Sequence, residues 1–167
     1  IRWPSFAKFD LYCDRVASAV GRLSVRVFGM EREPGLALAH HLGRALQFTN
    51  VLRDIDEDAG IGRVYLAREH LEAAGVPLTD PMTVAADPRI DAAARPLAKL
   101  AQDHFREAQA ILARRPKGHL IAPRLMAAVY APILKRMEAQ GWAPPRTRIK
   151  VNKPALILTA LRLWLFR

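Results

Sequence analysis

The sequence has a single cysteine, Cys13, among 167 residues. One thiol excludes an internal disulfide framework and a zinc site built from several cysteines, and it fits a reducing cytosol. Aromatic residues make up only 7% of the chain, too few for the aromatic interleaving of single-strand nucleic-acid binders. No apolar run reaches the roughly 18–20 residues of a membrane-spanning helix, and no secretory signal pattern opens the sequence. We therefore expect a cytoplasmic protein.

The charge of the chain is strongly positive, since 26 lysines and arginines outnumber 16 aspartates and glutamates. A net charge of +10 suits nucleic acid, anionic lipid or a small polyanion such as a diphosphate, and it does not choose among them. A basic helical module that binds lipid or nucleic acid is one interpretation. Hydrophobic residues, at 51% of the chain, are numerous enough for a buried core.

Helical periodicity runs through almost the whole sequence and predicts one all-α domain over residues 1–167. Proline and glycine mark the breaks between helices. Residues 61–66 are expected to be a loop, residues 76–90 mostly loop with room for one helical turn, and residues 144–145 a linker. The predicted helices are Pro4-Ser5 to about Met30, Leu36–Gly60, Ala67–Ala74, Ile90–Arg114, Leu120–Gln140 and a final apolar helix after Lys153-Pro154.

An acidic cluster stands out in this basic chain. Four acidic residues fall within five positions, at Asp54, Asp56, Glu57 and Asp58. They are predicted to lie at the C-terminal end of a helix, where the helix dipole disfavours negative charge. Local stability does not explain that placement, so we expect a cation nearby.

The spacing of Gln47, Asn50, Asp54 and Asp58 places all four on one face of a continuous helix. Paired carboxylates and other oxygen donors suit Mg²⁺, which usually keeps waters and adds substrate phosphate oxygens as ligands. The alternative is a solvated helix end whose aspartates pair with neighbouring arginines. A structural or scaffolding helical protein would leave this polar stripe unexplained.

The stretch GRALQFTNVLRDIDEDAGIGRVYL, from Gly43 to Leu66, is preceded by the block YCDRVASAVG, from Tyr12 to Gly21. The longer stretch resembles the second aspartate-rich motif of the squalene/phytoene synthases, and the shorter block resembles a conserved block of the same family. Weaker similarity continues through Tyr130 to the end of the chain.

This resemblance implies an all-helical isoprenoid synthase fold around a central cavity, in which two isoprenoid diphosphates are joined head to head. It assigns Asp54, Asp58 and Asn50 to Mg²⁺ and makes Arg53 a catalytic partner of the aspartates. Mg²⁺ suffices if the reaction stops at presqualene diphosphate, whereas squalene would require NADPH. The family's first DxxxD motif is not found here, so we expect the N-terminal part of a family member to be missing.

The resemblance also implies substrate-binding residues. It places Tyr12, Val16, Val20 and Gly21 along the prenyl chains, although such a four-residue stripe is equally typical of an ordinary core. Around the diphosphates it places a second group, in which the two tyrosines could instead be core anchors: Gln47, Asn50, Arg63, Tyr65, Tyr130 and Arg148.

Asp14-Arg15 stand where other branches of the family often have aromatic residues. Together with the wording VLRDIDED, this departure resembles the bacterial hopanoid-pathway branch, which makes presqualene diphosphate from two farnesyl diphosphates. Synthesis of phytoene or dehydrosqualene for carotenoids is the alternative, because the depth of the substrate pocket is not readable from sequence.

Two further features carry expectations. His40 and His41 lack a cysteine or an HExxH partner, so we expect a packed or exposed role rather than zinc binding. The apolar tail, residues 155–167, suits a core helix or an interfacial helix on anionic lipid.

The resemblance and the tail together set the expected partners. We expect farnesyl diphosphate as substrate, no nucleic-acid partner, peripheral contact with the inner face of the cytoplasmic membrane, and downstream pathway enzymes as candidate partners.

Residues 1–167 alone are predicted to be a poor catalyst, because only one of two facing carboxylate pairs would grip the metal and catalytic geometry tolerates little displacement. Conversion of labelled farnesyl diphosphate with Mg²⁺ should be compared between this chain and the complete gene product. Equal yields of cyclopropyl product would show that the first aspartate motif is dispensable.

Overall fold

The computed structural model describes residues 1–150 and, beyond them, only residues 156, 160 and 161. Within that part the chain is helical with no strand, which confirms the all-α prediction, and a single β-bridge joins Arg2 to Val64. A π-helical turn, Asp14–Ser18, separates the first two helices. The α-helices are α1 (Phe6–Cys13), α2 (Ala19–Val27), α3 (Arg32–Arg53), α4 (Ile55–Gly60), α5 (Arg68–Ala73), α6 (Pro81–Ala86), α7 (Ile90–Ala113) and α8 (Ile121–Gln140).

Helix α3 lies at the centre of the packing and contacts α1, the π turn, α2, α7 and α8. It buries residues on several sides, among them Leu38, Ala45, Phe48 and Leu52, as expected of a helix surrounded by others. Gly43 allows the closest approach: a Cβ built there would lie 2.8 Å from the Cα of Ser18. The backbone of the π turn therefore rests directly on α3.

A buried guanidinium fastens this contact. Arg44 is only 7% exposed, and it donates two hydrogen bonds to Asp10, from Nε at 2.8 Å and from NH2 at 2.9 Å. Its NH1 also reaches Asp14 at 3.3 Å and the hydroxyl of Ser18 at 3.2 Å. Because a buried charge is costly unless it is paired, these acceptors fix α1 and the π turn against α3.

The π turn was not predicted, because helical periodicity does not reveal one extra residue. It carries Asp14, which accepts from Arg22 at 2.9 and 3.0 Å as well as from Arg44. Asp14, the departure from the family's aromatic pattern, therefore has a structural role as an acceptor between two arginines.

The predicted helix Leu36–Gly60 is wrong at both ends. It begins earlier, at Arg32, because Pro34 lies in the first turn, where a missing N–H costs nothing. It ends at Arg53, and Asp54, with φ −105° and ψ 21°, separates α3 from α4. The freed carbonyl of Leu52 accepts a hydrogen bond of 3.0 Å from the indole of Trp142, which satisfies a helix end that would otherwise be orphaned.

The segment after α8 packs rather than linking. Trp142 is 2% exposed, and its backbone N–H donates to Asp91 at 2.8 Å. Residues 141–150, which we call the return segment, then run back to α4, although a linker was predicted at Pro144-Pro145. The predicted tail helix lies outside the described residues apart from 156, 160 and 161. None of the described helices is long and apolar enough to cross a membrane.

Gly43→Ala is expected to lower the free energy of unfolding by about 1–3 kcal/mol, because the new methyl group would overlap the Ser18 backbone. Gly60→Ala is the matched control, since a Cβ there meets nothing within 4 Å. Urea unfolding of the full-length variants measures both changes. Equal stability of the two variants would contradict the close contact.

Candidate active site

An apolar cavity of about 320 Å³ opens between the π turn, α2, α3 and α8. Its volume is in the range of small-molecule pockets. Four polar side chains, Ser24, Gln47, Asn50 and Tyr130, line it beside apolar residues that include Val25, Leu38, Leu42, Leu46 and Met126. Asn50 lies one turn before Asp54, so α3 leads from the cavity to the acidic cluster.

Val16, Val20 and Gly21 line this cavity, where the sequence placed them. The two valines are 42% and 57% exposed, so they form an open wall rather than a packed core. Gly21 also lets α2 approach α3, because a Cβ there would be 3.1 Å from that of Ala39.

Tyr12 does not line the cavity, contrary to prediction. The predicted stripe assumed a continuous α-helix, and the π turn breaks its register after Cys13. Tyr12 stacks instead on the buried Tyr65, with ring centroids 5.1 Å apart and the two hydroxyls 3.5 Å apart. Burial, followed by the hydrogen bond to Tyr65, raises the pKa of Tyr12, so its hydroxyl stays protonated.

Asp54 is held by two arginines. Arg53 donates from Nε at 2.8 Å and from NH2 at 2.7 Å, and Arg148 donates from Nε at 2.8 Å. Burial alone would raise the pKa of Asp54, but the hydrogen bonds from Arg53 and Arg148 outweigh it and the pKa is lowered. Asp54 is therefore a carboxylate whose charge is well compensated.

Asp58 is in the opposite situation. Burial raises its pKa, the negative charge of Asp54 raises it further, and the charge of Arg63 only partly opposes this. Among the described residues no cationic group lies within 4.0 Å of its carboxylate. A bound cation would relieve the repulsion between the two aspartates.

Local stability does explain the position of three members of the acidic cluster, contrary to prediction. Asp56, Glu57 and Asp58 lie in the first turn of α4, where the helix dipole favours negative charge. Asp54 is both the C-cap of α3 and the N-cap of α4, so the dipoles of the two helices act on its charge in opposite directions. The end of α3 at Arg53 invalidated the assumption of one continuous helix.

The predicted polar stripe is also divided. Gln47 and Asn50 line the cavity, whereas Asp54 and Asp58 do not, because the junction at Asp54 interrupts the helix face. One atom remains unsatisfied: the buried Oδ1 of Asn50 has no hydrogen-bond partner in the described part of the chain. Such an atom is costly, and a ligand or a metal ion would satisfy it.

The residues fit the metal that the resemblance implies. Asn50 offers an unsatisfied amide oxygen, Asp58 an under-compensated carboxylate and Asp54 a second carboxylate. These are hard oxygen donors of the kind that Mg²⁺ prefers.

Basic side chains surround this donor set. The hydrogen bond to Asp54 is the main cause that raises the pKa of Arg53, and the nearby Tyr130 raises it less. Tyr130 also lines the cavity, so it connects the acidic cluster to the cavity. Arg148 also contacts Glu57 at 3.1 Å. Arg63 is exposed beside Asp58. These cations could hold a diphosphate next to the aspartates.

No sequence pattern pointed to Arg146. Its side chain is 7% exposed, pairs with Asp56 and donates to the carbonyls of Trp142 at 2.6 Å and Ala85 at 2.9 Å. Because Pro144-Pro145 was interpreted as a linker, the role of Arg146 in attaching the return segment to α4 was not predicted. The His104 imidazole, which meets His40 and His41, was also missed.

Comparison with known proteins agrees with this fold. A solved dehydrosqualene synthase in complex with a ligand superposes with a TM-score of 0.78 at 25% identity, covering 99% of this chain and 59% of that one. The helical fold is thus that of solved squalene and dehydrosqualene synthases. A model of the squalene/phytoene synthase family matches residues 2–155, and the chain belongs to this family.

Two curated relatives carry the same name. The presqualene diphosphate synthase of Zymomonas mobilis is 61% identical over 163 residues, covering 98% of this chain and 56% of that protein. That of Rhodopseudomonas palustris is 51% identical over 162 residues, covering 97% and 58%. The chain therefore spans a little over half the length of these relatives.

Asp54→Asn and Asp58→Asn are expected to differ in their effect on the free energy of unfolding. The first removes charged hydrogen bonds and is expected to lower the free energy of unfolding by about 1–3 kcal/mol at pH 7. The second removes a carboxylate whose raised pKa opposes its ionisation on folding, so stability should be unchanged or increased.

Urea unfolding without added metal, repeated at decreasing pH, measures this difference. The pKa of Asp54 is lowered in the folded state, so its contribution is present above the unfolded value of about 3.9 and is lost as the pH falls through the folded value. Equal destabilisation by both substitutions at pH 7 would contradict the unequal compensation.

Proposed function

We propose that this chain is the metal-binding and cavity-forming part of a presqualene diphosphate synthase, which joins two farnesyl diphosphates head to head. The observation that carries the proposal is the adjacency of an apolar cavity and an acidic cluster along α3. Asn50 lines the cavity with an unsatisfied oxygen, and Asp54 follows one turn later. The names of the two bacterial relatives support this substrate and product.

The donor set is proposed to bind Mg²⁺, through Asp54, Asp58 and Asn50. When bound, this ion neutralises the diphosphate leaving group. Arg53, Arg63 and Arg148 hold the diphosphate oxygens, and Gln47 and Tyr130 orient the substrate where the cavity meets the acidic cluster. Preorganised charges of this kind stabilise the negative charge that develops as the allylic C–O bond breaks.

The cavity would protect the carbocation. Its wall, formed by residues such as Val16, Val20 and Leu46, is apolar and keeps water from the reacting carbons. The C2=C3 double bond of the second substrate forms the new bond, and loss of a proton closes the cyclopropane ring. The released diphosphate is the base in this scheme and accepts that proton.

The exposed valines indicate that the open side of the cavity needs a cover. Val16 and Val20 are accessible on the open side of the cavity, and exposed apolar surface of this kind marks a surface that another segment or ligand covers. We propose that a part of the protein outside residues 1–167 closes this side. We also propose that the protein acts in the cytoplasm in peripheral contact with the membrane.

Two other functions are less well supported. Dehydrosqualene or phytoene synthesis would use the same site, but the presqualene relatives are 61% and 51% identical, against 25% for the dehydrosqualene synthase structure. A basic binding module would not require the unsatisfied Asn50 oxygen at the wall of an apolar cavity.

The full-length protein with Mg²⁺ is expected to convert farnesyl diphosphate to presqualene diphosphate and to use geranylgeranyl diphosphate poorly. Asp54→Asn and Asp58→Asn should each lower turnover by about 100-fold or more, since misplacement of a reacting group has effects of that size. Mass spectrometry of the products formed from each of the two substrates measures the turnover of the protein and its variants.

Asp103→Asn is the control. Asp103 is also paired, with Lys99 and Arg106 on the surface of α7, but it lines neither the cavity nor the acidic cluster. Near wild-type turnover by Asp54→Asn would disprove the site assignment, and phytoene as the main product would favour the carotenoid alternative.

A further inference from the structure

Three imidazoles meet on the side of α3 that faces α7. His40 and His41 come from α3 and His104 from α7, and their possible ligand nitrogens all lie within 4.8 Å of one another. The closest pair is His41 Nδ1 and His104 Nδ1, at 3.0 Å. We call these three residues the histidine cluster.

The histidine cluster is separate from the diphosphate site. None of its members lines the apolar cavity, and His40 precedes Asp54 by 14 residues, roughly 20 Å along a helix axis. Nothing in the proposed condensation uses these imidazoles.

The geometry points to a site for a zinc-class divalent transition metal, and we propose that His40, His41 and His104 bind such an ion as a staple between α3 and α7. Zinc–imidazole bonds of about 2.0–2.1 Å in a tetrahedral site place two ligand nitrogens roughly 3.3 Å apart. The 3.0 Å separation of His41 and His104 is close to that value, whereas the separations of up to 4.8 Å within the cluster must shorten by a movement of the His40 side chain. Imidazole ligands favour this class of metal over Mg²⁺.

The protonation states suit metal binding. Burial is the main cause that lowers the pKa of each of the three imidazoles, and it lowers that of His104 to about 4. All three are therefore neutral near pH 7, which is the form that binds a metal. The negative charge of Glu107, on α7, acts on His41, and a nearby carboxylate commonly supports a metal-bound imidazole.

Arg44 is the cation that a metal would have to tolerate. Its NH1 lies 2.9 Å from His40 Nδ1, so binding through that atom would replace this hydrogen bond. The guanidinium keeps its two bonds to Asp10, and its charge is compensated by Asp10 and Asp14 together. His40 is the most exposed of the three and can adjust at the least cost.

The test uses the full-length protein without an affinity tag, freed of metal by a chelator and titrated with Co²⁺ in excess Mg²⁺. Mg²⁺ occupies carboxylate sites, and Co²⁺ in a tetrahedral imidazole site gives visible absorption. We expect one equivalent to bind with a visible band and to raise the melting temperature. His104→Gln and His41→Gln should each weaken binding by more than the 10–100-fold typical of outer-shell changes.

His70→Gln and His119→Gln are the matched controls, because these are the other two of the five histidines and should leave the band unchanged. No saturable band, or a band that survives His104→Gln and His41→Gln, would overturn the proposal. Circular dichroism of the metal-free variants shows whether each is folded. If His104→Gln does not fold, His40→Gln, at the most exposed position, carries the same test.

Discussion

The guanidinium of Arg44 is the charge on which the packing of the first half of the molecule depends. It lies on the central helix and binds Asp10 of α1 and Asp14 and Ser18 of the π turn. Since an unpaired buried charge costs several kcal/mol, none of the three acceptors can leave without penalty. Gly43, the residue before Arg44, removes the Cβ that would otherwise hold the π turn away. One pair of neighbouring residues thus supplies both the attraction and the space.

This attachment decides which side chains reach the cavity. The π turn is drawn onto α3 and changes the helix register after Cys13. Val16, within the turn, and Val20, just after it, line the cavity between α3 and α8. Tyr12, before the π turn, turns to Tyr65. The same arrangement places His40 beside Arg44, so the buried guanidinium lies between the π turn and the histidine cluster.

Sequence patterns predicted the fold class, most helices and the residue types of the site, because apolar spacing and the family motif are local signals. They failed where the outcome depends on contacts between distant residues. The end of α3 is stabilised by Trp142, which donates to Leu52 from 90 positions away, and the π turn is held by Arg44. Likewise, the sequence shows that His40 and His41 are neighbours but not that they contact His104, and it does not show that Asp56 pairs with Arg146.

The charges of the acidic cluster are balanced unevenly. The exposure of each arginine side chain indicates how readily it can leave its carboxylate partner. The Arg53 side chain is 15% exposed, whereas that of Arg148 is 45% exposed, so Arg148 loses less on returning to water. Trp142 and Arg146 anchor the return segment independently, through Leu52, Asp91 and Asp56. Release of Arg148 from Asp54 therefore leaves the backbone in place. In the proposed function, a cation at Asp58 and Asp54 would replace the compensation that Arg148 provides, and this arginine would then be available to the substrate diphosphate.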